Sequence, residues 1–212
     1  MKALSVKEFQ GLMPQAIIID TRQPEDFTPG FVPGAINIGL GKHFVEWMET
    51  LVPAESALLL VANQTDLEDT YEALRIMGYN NILGHLDGGF TAWTEASMGI
   101  DMIIDIPGDE LALDIPFDNK LMLVDVRSVT EFEQGHLLNA ENLPLTQILN
   151  PLHLAQLDED SNIYVYCGGG YRSVVACSIM KKEGFHNIRN VLGGYAALKD
   201  TENIPLELPK KK

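Results

Sequence analysis

The chain repeats itself, and a repeat constrains the fold more tightly than any other feature, because both copies must be versions of one unit. The stretch "IIIDTRQPEDFTPGFVPGAINI" (17–38) lies over "LMLVDVRSVTEFEQGHLLNAENLP" (121–144). At one offset of 105, Asp20 falls on Asp125, Arg22 on Arg127, Phe27 on Phe132 and Gly30 on Gly135. Ala35 falls on Ala140 and Asn37 on Asn142 at the same offset. Farther along, "GYNNILGHLDGGFTAW" (78–93) matches "GFHNIRNVLGGYAAL" (184–198) with one residue of slippage. Matches held at one offset over this length identify a duplicated domain.

Each copy reads alike. A short apolar, β-branched run (17–19; 121–124) ends in Asp-x-Arg, and a second apolar run follows (58–61; 163–166). An amphipathic helical stretch (67–77; 173–182) is closed by Gly78 or Gly184, the residue type favoured just past a helix end. A third strand (81–83; 187–191) leads to Gly-Gly and another helix. Strands alternating with helices predict an α/β fold: two tandem domains, 1–100 and 101–212, each a mainly parallel sheet flanked by helices on both faces.

Composition supports two cores and narrows the partners. Of the 212 residues, 46% are hydrophobic, enough for two packed domains of this size. No apolar run approaches the ~20 residues of a membrane span, so no membrane partner is expected. A net charge of −15 argues against nucleic acid, since little here would displace counterions from phosphates. Residues 1–105 carry 15 acids against 5 bases, and residues 106–212 carry 15 against 10. Two cysteines make no disulfide framework, and a reducing, cytoplasmic setting is expected.

One of those cysteines, Cys167, sits in "IYVYCGGGYRSVVACSIM" (163–180), between a strand ending at Tyr166 and a helix expected from Ser173. Strand-to-helix loops at the carboxyl edge of an open α/β sheet are where such sheets bind ligands. Gly168, Gly169 and Gly170 remove every Cβ, so successive N–H groups can turn inward as an anion-binding nest. The helix N-terminus adds unsatisfied amides and its positive dipole end. A thiol there is expected to ionise more readily than a free cysteine, whose pKa is about 8.5. Arg172 adds a charge that the loop curls back towards the sulfur. Cysteine beside a Gly-rich turn is by itself often mere core; strand, loop, arginine and helix together favour a functional thiol.

At these residues the chain resembles the rhodanese family. "YCGGGYRS" is similar to its active-site signature, Tyr-Cys-x-x-Gly-x-Arg-Ser, and "VDVRSVTEFEQGHLLNAENLP" to its Asp-Val-Arg, Glu-Phe, Gly-His, Ala and Asn-hydrophobe-Pro pattern. The resemblance spans nearly the whole chain as two rhodanese-like domains. It implies a sulfurtransferase in which Cys167 takes up sulfane sulfur as a persulfide and passes it to a thiol or cyanide acceptor. The amides of Gly168, Gly169, Gly170, Tyr171, Arg172 and Ser173 would cradle the terminal sulfur. Arg172 would help bind an anionic small-molecule donor, and Asp125 and Arg127 would brace the loop from a neighbouring strand. Many members have a basic residue directly after the cysteine, where this chain has Gly168. That weakens the case for dianionic thiosulfate and raises that for a low-molecular-weight persulfide. Tandem rhodanese domains with one inactive copy also resemble part of fusions to a metallo-β-lactamase-like persulfide dioxygenase, which implies a partner of that type.

The first copy lacks this equipment. Strand alignment puts Ala62, or within one residue Val61 or Asn63, where Cys167 sits, and "ANQTDLED" (62–69) has neither arginine nor glycine. Its retained Asp20, Arg22, Gly88 and Gly89 are then about folding, and the first domain is expected to be catalytically inactive. Phosphatases of the cell-division-cycle type share the rhodanese frame but place five residues between cysteine and arginine. Here four intervene (Gly168 to Tyr171), which favours sulfur chemistry; a sulfur-binding module without turnover is the remaining alternative. Cys177 is expected to be a core thiol, and Trp47 and Trp93 core anchors. The histidines (His43, His85, His136, His153, His186) show no ligand spacing, so neither metal nor cofactor is expected. Lys210–Lys212 read as an exposed tail.

Overall fold

In the first copy, five short strands carry the core: β1 (Ala3–Leu4), β2 (Ile17–Asp20), β3 (Ile36–Asn37), β4 (Leu58–Val61) and β5 (Ile82–Leu86). They alternate with helices α1 (Val6–Leu12), α2 (Pro24–Phe27), α3 (Phe44–Leu51), α4 (Leu67–Ile76) and α5 (Gly89–Glu95). All four strand pairings are parallel, in the order β1-β5-β4-β2-β3. Every residue of β4, Leu-Leu-Leu-Val, is buried, as a central parallel strand covered on both faces requires. The computed structural model describes residues 1–209, and the expected Lys210–Lys212 tail lies outside them.

The second copy repeats the plan. Its strands are β6 (Ile104–Ile106), β7 (Leu121–Asp125), β8 (His136–Leu137), β9 (Glu141–Asn142), β10 (Asn162–Tyr166), β11 (Ile188–Val191) and β12 (Leu206–Glu207). Its helices are α6 (Gly108–Asp114), α7 (Val129–Glu133), α8 (Pro151–Leu154), α9 (Tyr171–Lys182) and α10 (Gly194–Leu198). The parallel sheet runs β6-β11-β10-β7-β9, the order of the first copy, and β12 pairs antiparallel with β8 outside it. The α/β reading therefore holds in both copies, as two parallel five-stranded sheets flanked by helices. Contacts divide the chain between Met102 and Ile103.

Two local departures from the sequence expectation have physical causes. Strand β5 runs to Leu86 rather than stopping near Leu83, because the N-terminal β1 pairs with its second half, Ala3 opposite His85. Gly84 permits the approach: a Cβ there would lie 2.6 Å from the Lys2 carbonyl. Helix α9 starts at Tyr171, two residues before Ser173, because Gly170 at φ 104° serves as N-cap and frees the next residue to turn helical. From Ser173 to Met180 every side chain of α9 is buried, Cys177 completely. Trp47 and Trp93 are buried as well, Trp93 donating its indole N–H to the Gly99 carbonyl at 2.8 Å.

The duplicated Asp-x-Arg forms the same buried ion pair twice. Arg22 reaches both oxygens of Asp20 (2.6–3.1 Å) and the Gly30 carbonyl (3.0 Å). Arg127 likewise reaches Asp125 (2.6–3.0 Å) and the Gly135 carbonyl (2.7 Å). Leaving one partner of such a pair buried alone costs about 3–5 kcal/mol. Asp20→Ala should lower stability by roughly that amount. Both tryptophans lie in the first copy, so urea unfolding followed by tryptophan fluorescence reports on it alone; an unchanged midpoint would show that the pair contributes nothing.

Candidate functional site

Strand β10 delivers Cys167 to the end of the sheet, and the Gly168–Gly170 loop turns directly into α9. Cys167 is a free thiol, 1% exposed. The Gly170 amide donates to its Sγ at 3.1 Å, and the Ser173 hydroxyl lies 3.6 Å from Sγ on the helix side. Gly169 has open space around it, so the loop has an accessible side. Tyr171 and Arg172, expected in the loop, instead form the first turn of α9, where amides are not used by the helix itself.

Arg172 folds back over the loop as its spacing predicts. One of its terminal nitrogens lies 3.0 Å from where a Gly168 Cβ would be, so the missing side chain makes room for the guanidinium. The guanidinium has a partner that sequence reasoning did not single out. Glu131 on α7 accepts from both terminal nitrogens, at 2.8 and 2.7 Å. The same carboxylate closes a capping box with Ser128, whose Oγ and N–H it accepts from at 2.9 and 3.1 Å. The Arg172 guanidinium beside it holds the Glu131 carboxyl down at about 2, with the Ser128 hydrogen bonds adding to the effect. The signal was present in the sequence as Ser-x-x-Glu, a helix-start pattern.

Asp125 and Arg127 sit one strand away, and neither side chain bonds the cysteine loop directly. Their polar contacts go to Gly135 and to Asn142, whose amide nitrogen donates to the Asp125 and Arg127 carbonyls (2.9 and 3.0 Å). The brace is indirect. The Arg127 guanidinium stacks 4.1 Å from the Tyr195 ring centre, and Tyr195 donates its backbone N–H to the Cys167 carbonyl at 2.6 Å. Ala196 does the same to Gly168 at 3.0 Å. Gly193 and Gly194, at φ 70° and 55°, form the turn that permits this, and a Cβ on Gly194 would overlap the Cys167 carbonyl oxygen. The repeated Gly-Gly in the sequence marks a turn, but its contact with the cysteine loop appears only in three dimensions.

The first copy has the frame without the cysteine loop. Asp20 pairs with Val61 as Asp125 pairs with Tyr166, so Ala62 occupies the position of Cys167. Gly89 approaches the Ala62 carbonyl as Gly194 approaches that of Cys167, and Arg22 stacks 4.3 Å from the Phe90 ring centre. The loop itself is a 3-10 turn, Gln64–Asp66, in place of the three glycines. Burial pushes the Cys177 thiol well up and keeps it neutral, as expected of a core thiol. Among the described residues no histidine, cysteine, aspartate and glutamate groups are arranged to hold a metal. No described helix is long and apolar enough to cross a membrane.

Fold and site define a tandem α/β protein with one cysteine loop at a sheet edge and one copy without it. The rhodanese-like domain model matches residues 5–96 and 109–201, and the chain belongs to that family. It is 29% identical over 96 residues to a sulfurtransferase of Allochromatium vinosum, a match covering 45% of this chain and 88% of that one. It is 35% identical over 97 residues to a tRNA uridine(34) hydroxylase of Yersinia pestis, covering 42% of this chain and only 27% of that protein. A thiosulfate sulfurtransferase structure from Pseudomonas aeruginosa aligns over 100% of this chain and 44% of its own, at 16% identity and TM-score 0.44. The family and its sulfurtransferase-named members support a sulfur-transfer role at the family level.

The Glu131–Arg172 pair carries a pH signature. Its folded pKa lies below the ordinary carboxylate value of 4.5, so its stabilisation is complete above about 4.5 and lost as pH falls towards about 2. The Glu131 side chain is 38% exposed, which limits the contribution to about 1 kcal/mol. The difference in thermal midpoint between wild type and Glu131→Gln should be constant above pH 5 and shrink towards zero near pH 2. A difference independent of pH would contradict the pairing.

Proposed function

We propose that the second copy is a sulfurtransferase working through a Cys167 persulfide, and that the first copy is catalytically inactive. The observation that carries this reading is the Cys167 thiol held at a glycine loop and helix N-terminus, with Gly170 N–H on its sulfur, while Ala62 fills the same place in the first copy. The Cys167 thiolate attacks the outer, sulfane sulfur of the donor. The donor's S–S bond breaks, and its electron pair leaves with sulfite or with a small thiolate. The negative charge then rests on the outer sulfur, where amides of the Gly168–Ser173 turn would stabilise it, Gly170 N–H already lying 3.1 Å from Sγ. An acceptor thiolate or cyanide attacks that outer sulfur, and Sγ departs as the thiolate.

Arg172 would meet an anionic donor, but Glu131 already cancels its charge with two hydrogen bonds. The site then offers backbone dipoles rather than a free cation, which suits a low-molecular-weight persulfide better than dianionic thiosulfate. A reducing, cytoplasmic setting fits two free thiols, and a persulfide-dioxygenase-type enzyme is the proposed consumer of a persulfide product. Asp125 and Arg127 support the loop through Tyr195 and take no part in the chemistry.

Cys167→Ala and Cys167→Ser should both reduce turnover at least ~1000-fold, because a serine hydroxyl is a poor nucleophile near neutral pH. The assay is thiocyanate release from thiosulfate and cyanide, run beside sulfur transfer from glutathione persulfide. Retained turnover would exclude the cysteine loop as the transfer site and leave a sulfur-binding module. Glu131→Gln should raise kcat/KM for thiosulfate by about 3–10-fold and change that for glutathione persulfide less, since the freed guanidinium gains most with the dianion. Arg172→Ala should do the opposite, leaving Glu131 to repel anionic donors. Equal effects on both donors would remove the role given to this ion pair.

A further inference from the structure

Behind Cys167 lies a polar chain of three side chains, and the two deeper members are assigned no role by the reading above. Ser173 Oγ is 3.6 Å from Sγ, 2.9 Å from the Gly170 carbonyl oxygen and 2.6 Å from Asn190 Oδ1. Asn190 Nδ2 in turn donates to Asp105 Oδ1 at 2.7 Å. Ser173 is fully buried and Asn190 is 2% exposed. A carboxylate only accepts, so Asp105 fixes the amide with its nitrogen outward and its oxygen towards Ser173. The hydroxyl has one proton, and two oxygen acceptors close at hand compete for it. The face it turns to Sγ is therefore its lone pairs.

The first copy serves as an internal control. Strand register puts His85 at the place of Asn190 and Ala3 at the place of Asp105. Counted back from the glycines that close the two helices, Gly78 and Gly184, Leu67 stands at the place of Ser173. The first copy keeps the buried Asp–Arg pair, the amides on it and the Gly-Gly turn, yet at these three places it has a leucine, a histidine and an alanine. His85 Nδ1 is buried there without a hydrogen-bond partner. The polar chain accompanies the cysteine, whereas the structural frame does not depend on it.

We propose that Asn190 and Asp105 are positioning residues for sulfur transfer, fixing the Ser173 hydroxyl as an acceptor facing Cys167 Sγ. This rests on the persulfide reading. An oxygen lone pair disfavours full negative charge on Sγ and tolerates the inner sulfur of a persulfide, whose charge sits one atom farther out. The pair thus tilts the balance towards the loaded enzyme. Removing it leaves the hydroxyl with one competing acceptor fewer, so its proton can turn to an anionic Sγ, where a charge-assisted hydrogen bond is the stronger one.

The test is alkylation of unloaded Cys167 by iodoacetamide at one fixed pH, read by peptide mass spectrometry. The proteins are wild type, Asn190→Leu, Asp105→Ala, Ser173→Ala and each of the first two combined with Ser173→Ala. Asn190→Leu should accelerate alkylation about 3–10-fold. Asp105→Ala, at a half-buried position that tolerates truncation better, should shift it the same way by less. In the Ser173→Ala background neither should have any effect. An unchanged rate in the single variants, or the same change with and without the Ser173 hydroxyl, would overturn the proposal and make the pair merely structural. Alkylation needs no sulfur donor, so failure of the sulfurtransferase reading would appear in Cys167→Ala turnover and not here. Supporting the tilt itself, the Asn190→Leu persulfide should pass its sulfur to cyanide faster than wild type; a slower transfer would also overturn it.

Discussion

The buried Asp–Arg pair at the end of the first long strand of each copy is the interaction on which the rest is built. Two charges taken out of water are tolerable only when every hydrogen-bonding position is used. Here the guanidinium spans both carboxylate oxygens and reaches the carbonyl of Gly30 or Gly135. The backbone carbonyls of the pair are capped by Asn37 or Asn142. The exposed face of the guanidinium is covered by an aromatic ring, Phe90 or Tyr195. One small cluster thereby joins a strand end, the following segment and the Gly-Gly turn. In the second copy that turn holds the backbone of Cys167 and Gly168 in place.

The duplication separates what holds the fold from what builds the cysteine loop. Ala62 is as buried as Cys167, and its carbonyl meets the same glycine turn. What the first copy lacks is local: the thiol, the three glycines, the arginine and the polar chain behind the loop. A buried polar chain is expensive unless each group is satisfied, so its presence in only one of two otherwise matched frames points to the site it serves.

Electrostatics at the loop come mainly from the backbone. Arg172 is held by Glu131, itself fixed by a helix capping box. In a chain of net charge −15 this leaves aligned amides at the start of α9 as the principal electropositive feature of the loop. Such amides are preorganised and do not need to be recruited.

The repeat, the parallel α/β plan, the position of Cys167 between strand and helix and the absence of a cysteine from the matching place in the first copy were legible in the amino-acid sequence, because each is a local or periodic property. Apolar runs of strand length, glycines at helix ends and the Asp-x-Arg motif have the same meaning wherever the chain places them. Glu131 was legible only as part of the Glu-Phe pattern, Gly193–Gly194 only as a turn and Asn190 only as a strand residue, while Asp105 carried no reading as a site or strand residue. Their side-chain partners lie 17 to 85 residues away, and nothing in sequence spacing encodes which element becomes whose neighbour. Parallel pairing of β11 with β6 sets Asn190 beside Asp105, and the packing of α9 on the sheet brings Ser173 to Asn190, so tertiary structure decided what stands behind the cysteine.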